Sequence, residues 1–166
     1  MINDLKFSKN QAETVTKYIL PKRIVTEKFA ESTEVLLDEN PRQAILFGDA
    51  KFSIIHAGGY VVLDMGCEIN GGIDITLENM TENSRKIHVT FGESVMEALS
   101  PIGEKNSTSD HSMRDFVFSS RGAANMKFGD TGYRFVKIEA EEDICLKSVY
   151  GTFTYRDAEY LGSFEC

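Results

Sequence analysis

The sequence predicts an all-β protein, an antiparallel β-sandwich of jelly-roll type, and three observations carry that prediction. Apolar and polar residues alternate with a period of two through the middle of the chain, turn-forming residues separate the alternating runs at short intervals, and no strong helical period lies between them. At 166 residues the chain has a common size for one domain and is long enough to bury its own core.

The elements follow in order. Gln11 to Leu20 reads either as a short helix or as an extended lead-in before Pro21, and Phe29 to Pro41 is acidic and weakly patterned. Pro21 and Pro41 oppose a helix running through either point. Residues 1–56 are therefore assigned as a lead-in, either joined to the sandwich or preceding it. From 57 to 157 the pattern is clearer. Val61, Leu63 and Met65 point one way while Val62 and Asp64 point the other, and Ile73, Ile75 and Leu77 oppose Asp74, Thr76 and Glu78. Ile87, Val89 and Phe91 face inward, with Lys86, His88 and Thr90 outward. Gly71-Gly72 and Glu82-Asn83-Ser84 supply turn chemistry between these runs. Further strands are expected at Asp115 to Ser119, Ala123 to Phe128, Tyr133 to Ala140 and Ile144 to Tyr155. Their separators are Arg121-Gly122, Gly129-Asp130-Thr131-Gly132 and Glu141-Glu142-Asp143. Tyr133, Phe135, Val136 and Ile138 place apolar groups on both faces of one strand, which is then either central or has its second face against another domain. Residues 158–166 read as a last strand leading onward.

Charge and cysteine content limit the function classes. A net charge of −8 argues against nucleic acid and anionic membrane surfaces as partners, since both attract an excess of Lys and Arg. No basic stretch leads into an apolar segment at the N-terminus, and no run approaches the ~20 apolar residues that span a bilayer, so a cytoplasmic protein is expected. Cys67, Cys145 and Cys166 fit neither a disulfide framework nor a metal knuckle, and are expected to be reduced, mostly buried thiols.

Ser94 to Met113 forms a connection of about 20 residues, beyond the ~12–15 at which loops in compact domains tend to be functional or disordered. Glu93 before it, and Asp110, His111, Arg114 and Asp115 after it, would suit hydrogen bonding to sugar hydroxyls if the loop folds back. The competing expectation, favoured about two to one, is an internal salt bridge from Arg114 to a carboxylate that pins the loop base, with Arg134 as a further partner for those acids. Catalysis finds no such support. Glycosidic hydrolysis needs two carboxyl groups held ~5–5.5 Å or ~6.5–9.5 Å apart, and among 26 acidic residues a chance pair such as Asp64 with Glu68, or Glu93 with Glu97, carries little weight. His56, His88 and His111 lack metal-ligand spacing, and there is no nucleophile elbow or phosphate loop, so no catalytic residue, metal or cofactor is assigned.

Several separated blocks resemble one family in its order. They are Leu63-Asp64-Met65-Gly66, Phe91-Gly92-Glu93-Ser94, Asp110-His111 with Arg114-Asp115-Phe116, Gly132-Tyr133-Arg134-Phe135-Val136, and Tyr155-Arg156-Asp157 through Tyr160-Leu161-Gly162-Ser163-Phe164. Together they resemble the β-sandwich that precedes the catalytic barrel in bacterial α-L-rhamnosidase-like glycoside hydrolases. The resemblance covers roughly Tyr60 to Cys166, and Tyr18 to Val25 is similar to that domain's lead-in. It implies a following (α/α)6 barrel that holds the general acid and base releasing L-rhamnose. This chain has no Trp and stops at Cys166, so no catalytic residue transfers to it.

Three expectations result. The first is a catalytically silent support domain whose partner is the missing barrel, with Tyr133, Phe135, Tyr160 and Phe164 on the interdomain face. It requires an exposed apolar patch at Tyr133 to Ile138 or at Tyr160 to Phe164. The second is a stand-alone module binding rhamnose-containing glycans, with Tyr60, Tyr133, Tyr150 or Tyr155 as sugar platforms. The third is self-association through an uncovered face.

Overall fold

Alternation becomes strand throughout, but the strands run longer than the sequence suggests. A computed structural model of the chain describes residues 14–44, 51–78, 83–104 and 112–156. Seven strands lie among them: β1 (Thr14–Ile19), β2 (Arg23–Glu31), β3 (Ser53–Glu78), β4 (Arg85–Gly92), β5 (Asp115–Ser120), β6 (Ala123–Ala140) and β7 (Ile144–Arg156). A short helix, α1 (Val95–Leu99), follows β4, and single 3-10 turns occupy Thr33–Leu37 and Ser112–Arg114. The ambiguous segment before Pro21 is thus extended where it is described, at Thr14–Ile19.

Strands β3 and β6 organise the molecule because each changes neighbours partway along. The strand order is β1-β7-β3-β6-β4-β5, with β2 also on β3. The first half of β3 lies between β2, with Leu63 opposite Ile24, and the end of β6, with Leu63 opposite Val136. Its second half lies between β7, with Ile73 opposite Gly151, and the start of β6, with Ile75 opposite Met126. Only the end of β6 also pairs with β4, which in turn pairs with β5. The ladders therefore make two layers that share two strands, an antiparallel β-sandwich.

The change of layer sits at irregular register in β3, between Asp64 and Ile69 and again between Gly71 and Ile73. Gly71-Gly72 and Gly129 to Gly132, expected as turns, lie inside β3 and β6. Their physical reason is close approach. A Cβ on Gly72 would stand 2.2 Å from the Phe128 carbonyl oxygen and 2.3 Å from that of Gly129. Glycine here lets two backbones cross, with no chain reversal.

Leu36, Ile55, Leu63, Ile75, Phe91, Ile138 and Val149 belong to one core cluster that draws on both layers. The Phe91 and Tyr133 rings meet in it at 4.6 Å, inclined by 56°, within the range of favourable aromatic pairs. Tyr133 is completely buried, and its hydroxyl donates to the Gly72 carbonyl at 2.5 Å. Phe135 is also buried, with the Arg134 guanidinium 5.1 Å from its ring centroid. The expected exposed face at Tyr133 to Ile138 is therefore corrected: its apolar side chains are enclosed by this chain itself, because β6 is an interior strand of the ladder. Tyr160 and Phe164 lie outside the described residues. The exposed large apolar side chains are elsewhere, among them Phe29, Met96, Met113 and Val117.

Candidate functional site

The loop-base constellation comes apart in the structure. Ser94 caps α1 by accepting from the Glu97 N–H at 3.2 Å, while the Glu97 carboxylate reaches back to the Glu93 N–H at 2.8 Å, a reciprocal capping arrangement. Arg114, only 1% exposed, donates to the Glu97 carbonyl at 3.0 Å and to the Ser100 carbonyl at 3.3 Å. These bonds tie Arg114 to the end of α1; the salt bridge to a carboxylate suggested by the sequence is not among them. Glu93 remains exposed. Asp115 turns to the other side of its strand, where its carboxylate meets His88 Nε2 at 2.7 Å. Asp110 and His111 lie outside the described residues. Glu93 and Arg114 are thus joined through Glu97, and Asp115 belongs to a separate pair.

Arg134 likewise serves a different acid. Asp64 is buried where β3 changes layer, and it accepts from Arg134 Nε at 2.8 Å, Arg23 Nε at 2.9 Å and the Gly66 N–H at 2.8 Å. The Arg134 contact above all holds its carboxyl at about 2, well below the usual carboxylate range. Asp143, on the turn before β7, is also pulled down, by the Ala57 N–H and by His56. Both shifts run opposite to what a general acid requires. The cysteines differ in part from expectation: Cys67 is exposed, and Cys145 is half-buried with its thiol pushed up by burial.

A better candidate lies on the outer face of the β1-β7-β3-β6 layer. Tyr18, Glu39, Asn40, Pro41, Arg42 and Tyr150 line an open cleft of about 600 Å³. Its rim is fixed by Tyr150, whose hydroxyl donates to the Asn40 carbonyl at 2.7 Å and accepts from the Asn40 N–H at 3.0 Å. Asn40 Nδ2 in turn donates to the Val35 carbonyl at 3.0 Å, which ties the rim to the 3-10 turn. Asp74, fully buried, lies beneath. It receives Arg42 Nη1 at 3.4 Å, stands 3.6 Å from Lys127 Nζ, and accepts from Asn125 Nδ2. The Arg42 guanidinium lies 3.3 Å from the Tyr18 ring centroid, and Lys127 Nζ meets the Tyr18 hydroxyl at 2.5 Å. These two cations, Lys127 first, draw the Tyr18 phenol below its ordinary pKa, whereas burial pushes that of Tyr150 up.

Of the tyrosines expected as sugar platforms, only Tyr150 lines this cleft. Tyr133 is in the core, Tyr60 lies half-buried under Lys137, and Tyr155 stacks on Phe153 at 5.2 Å. Tyr18 and Arg42 were not singled out by sequence. The available signal was the run of polar residues, Asp74, Thr76, Tyr150 and Thr152, on one side of strands whose other side is core.

Neither a protein-family model nor a curated protein matches the chain. Solved structures do. A rhamnosidase from Klebsiella oxytoca with rhamnose bound aligns with a TM-score of 0.61 at 11% identity, over 86% of this chain and 30% of that one. The CBM32 of AlyQ, in complex with 4,5-unsaturated mannuronic acid, aligns with a TM-score of 0.54 at 10% identity, over 81% of this chain and 97% of that one. Reduced XRCC1 bound to the DNA pol beta catalytic domain aligns with a TM-score of 0.50 at 17% identity, over 81% and 97%. The chain spans under a third of the rhamnosidase's length, and the third likeness places the same architecture in a protein–protein complex. Such distant likenesses establish architecture, and by them the chain is a β-sandwich of the kind found in the rhamnosidase and in the CBM32 module.

Proposed function

We propose that this chain is a non-catalytic, carbohydrate-binding β-sandwich whose sugar site is the cleft between Tyr18, Asn40, Arg42 and Tyr150. The observation that carries the reading is that cleft: an open recess combining two tyrosines with an amide and a guanidinium, of a size that suits a small saccharide. Tyrosine offers an apolar ring and a polar tip together, as a sugar's C–H face and hydroxyls demand. Arg42 uses Nη1 on Asp74. Titration calorimetry with a panel of neutral and acidic oligosaccharides, rhamnose-containing ones included, tests the reading. Binding of at least one glycan, weakened ten-fold or more by Tyr18→Ala with the melting temperature retained, is expected. No binding across the panel would sink it.

The rhamnosidase likeness supports a second, compatible reading: the sandwich supports the catalytic barrel of an α-L-rhamnosidase-like hydrolase. The isolated chain should then show no turnover of an aryl α-L-rhamnoside, while the coding DNA beyond Cys166 should continue into a Trp-rich helical domain. A downstream frame with no such domain would remove this reading and leave the binding one.

A further inference from the structure

Two cations meet beside Tyr18 at the cleft, and this bears on the class of saccharide it takes. Arg42 and Lys127 converge on one buried carboxylate, Asp74. Asn125, the remaining side chain on Asp74, is neutral. Glu39, the other acid at the cleft, is exposed on the rim, away from the Asp74 contacts. The lowered Tyr18 phenol reports the same two neighbours, because Lys127 and Arg42 favour its anionic form.

Arg42 is also prepared for a planar acceptor. Stacking on Tyr18 fixes the plane of its guanidinium, and the bond from Nη1 to Asp74 fixes its rotation about that plane. A guanidinium held in this way presents its other edge as a two-donor fork, and a carboxylate accepts from such a fork through both oxygens. Lys127, bonded to the Tyr18 hydroxyl, adds a second cation 4.8 Å from the centre of the same ring. We infer that the cleft selects carboxylate-bearing saccharides, uronic acids, with the sugar carboxylate on the free edge of Arg42 and the ring against the tyrosines. This rests on the proposed sugar-binding role and narrows its ligand.

The test compares matched ligands on the whole chain: an oligogalacturonide, its methyl ester, and the corresponding neutral galactan oligomer. The oligogalacturonide should bind at least ten-fold more tightly than either uncharged partner, and Arg42→Gln should abolish that preference while the weak affinity for the neutral oligomers persists. Arg42→Lys, which keeps the charge but loses the fork, should recover less than half of the preference on a logarithmic scale. Neutral oligomers binding as tightly as the charged one, with Tyr18→Ala weakening both, would overturn the uronate inference and leave the sugar-binding role standing. Absence of binding to all three and to every neutral glycan of the broader panel would overturn both. The matched ligands on the unmodified chain keep the inference falsifiable even if an Arg42 variant folds poorly.

Discussion

Asp64 shows how one side chain becomes structural. Sequence alternation puts it on the polar side of a strand, which reads as a solvated acid. In the fold that side is covered by β2 and β6, and a buried carboxylate survives there only because two guanidiniums and a backbone N–H satisfy it. Its folded pKa of about 2 lies below the ordinary 3.8, so its contribution is present in full above about pH 4 and is lost as pH falls toward 2. That difference corresponds to about 2 kcal/mol. Asp64→Asn should therefore lower stability by roughly 2 kcal/mol at neutral pH and flatten the acid limb of the stability curve, as urea titrations between pH 2 and 7 would register. An unchanged acid limb would refute the assignment. His56 has the opposite sign: Glu31 and Asp143 raise its pKa, so its contribution is present below about 6.5 and fades as pH rises through the folded value.

Among the elements, α1 is too short to be stable by itself, with five residues where isolated helices need ~12–15. It is held by the Ser94 and Glu97 caps and by Arg114, which reaches from the next 3-10 turn to the last carbonyls of the helix. Removing Arg114 takes a donor from the Glu97 and Ser100 carbonyls and empties a buried site, so Arg114→Ala should cost about 2–4 kcal/mol and raise amide exchange across 95–100, with sugar affinity changed less than two-fold. Unchanged melting with lost binding would return the site to the loop. From Val61 onward the strands were legible because period-two patterning survives in them, whereas β1 and β2, largely exposed, carry little of it and were left within the lead-in. The continuity of β3 and β6 was not legible: Gly71-Gly72 and Gly129 to Gly132 are turn segments by composition, and only the close approach of β3 to β7 at Gly71 and to β6 at Gly72 reveals why glycine stands inside the strand there. The candidate cleft was equally hidden. It joins Tyr18 of β1 and Arg42 of an irregular segment to Tyr150 of β7, residues with no common period or motif, whereas the legible cluster around Glu93 and Asp115 was assembled from sequence proximity, and in the fold Glu93 and Arg114 turn to Glu97 while Asp115 turns to His88.

At the scale of the whole molecule, the sharing of β3 and β6 between the layers decides how the sandwich should unfold. Two separately closed sheets could lose one layer while keeping the other, each with its own local free energy. Here Leu63 and Ile75 lie on the same strand, one in each layer, and both belong to a single core cluster with Val136, Ile138 and Val149. Neither layer can part from the other without breaking β3 and β6 near Gly71 and Thr131, where the two strands still pair. Leu63→Ala should accordingly cost about 2–5 kcal/mol, as a fully buried leucine does. The loss should spread beyond its own layer. Hydrogen exchange of the slowest amides should accelerate by similar factors in β4, whose ladder with β6 lies only in the Leu63 layer, and in β7 beside Ile73 and Ile75. Ile75→Ala should give the same pattern from the other side. Acceleration confined to the layer of the substituted residue would mean that the shared strands do not couple the layers, and that the sandwich is two cooperative units.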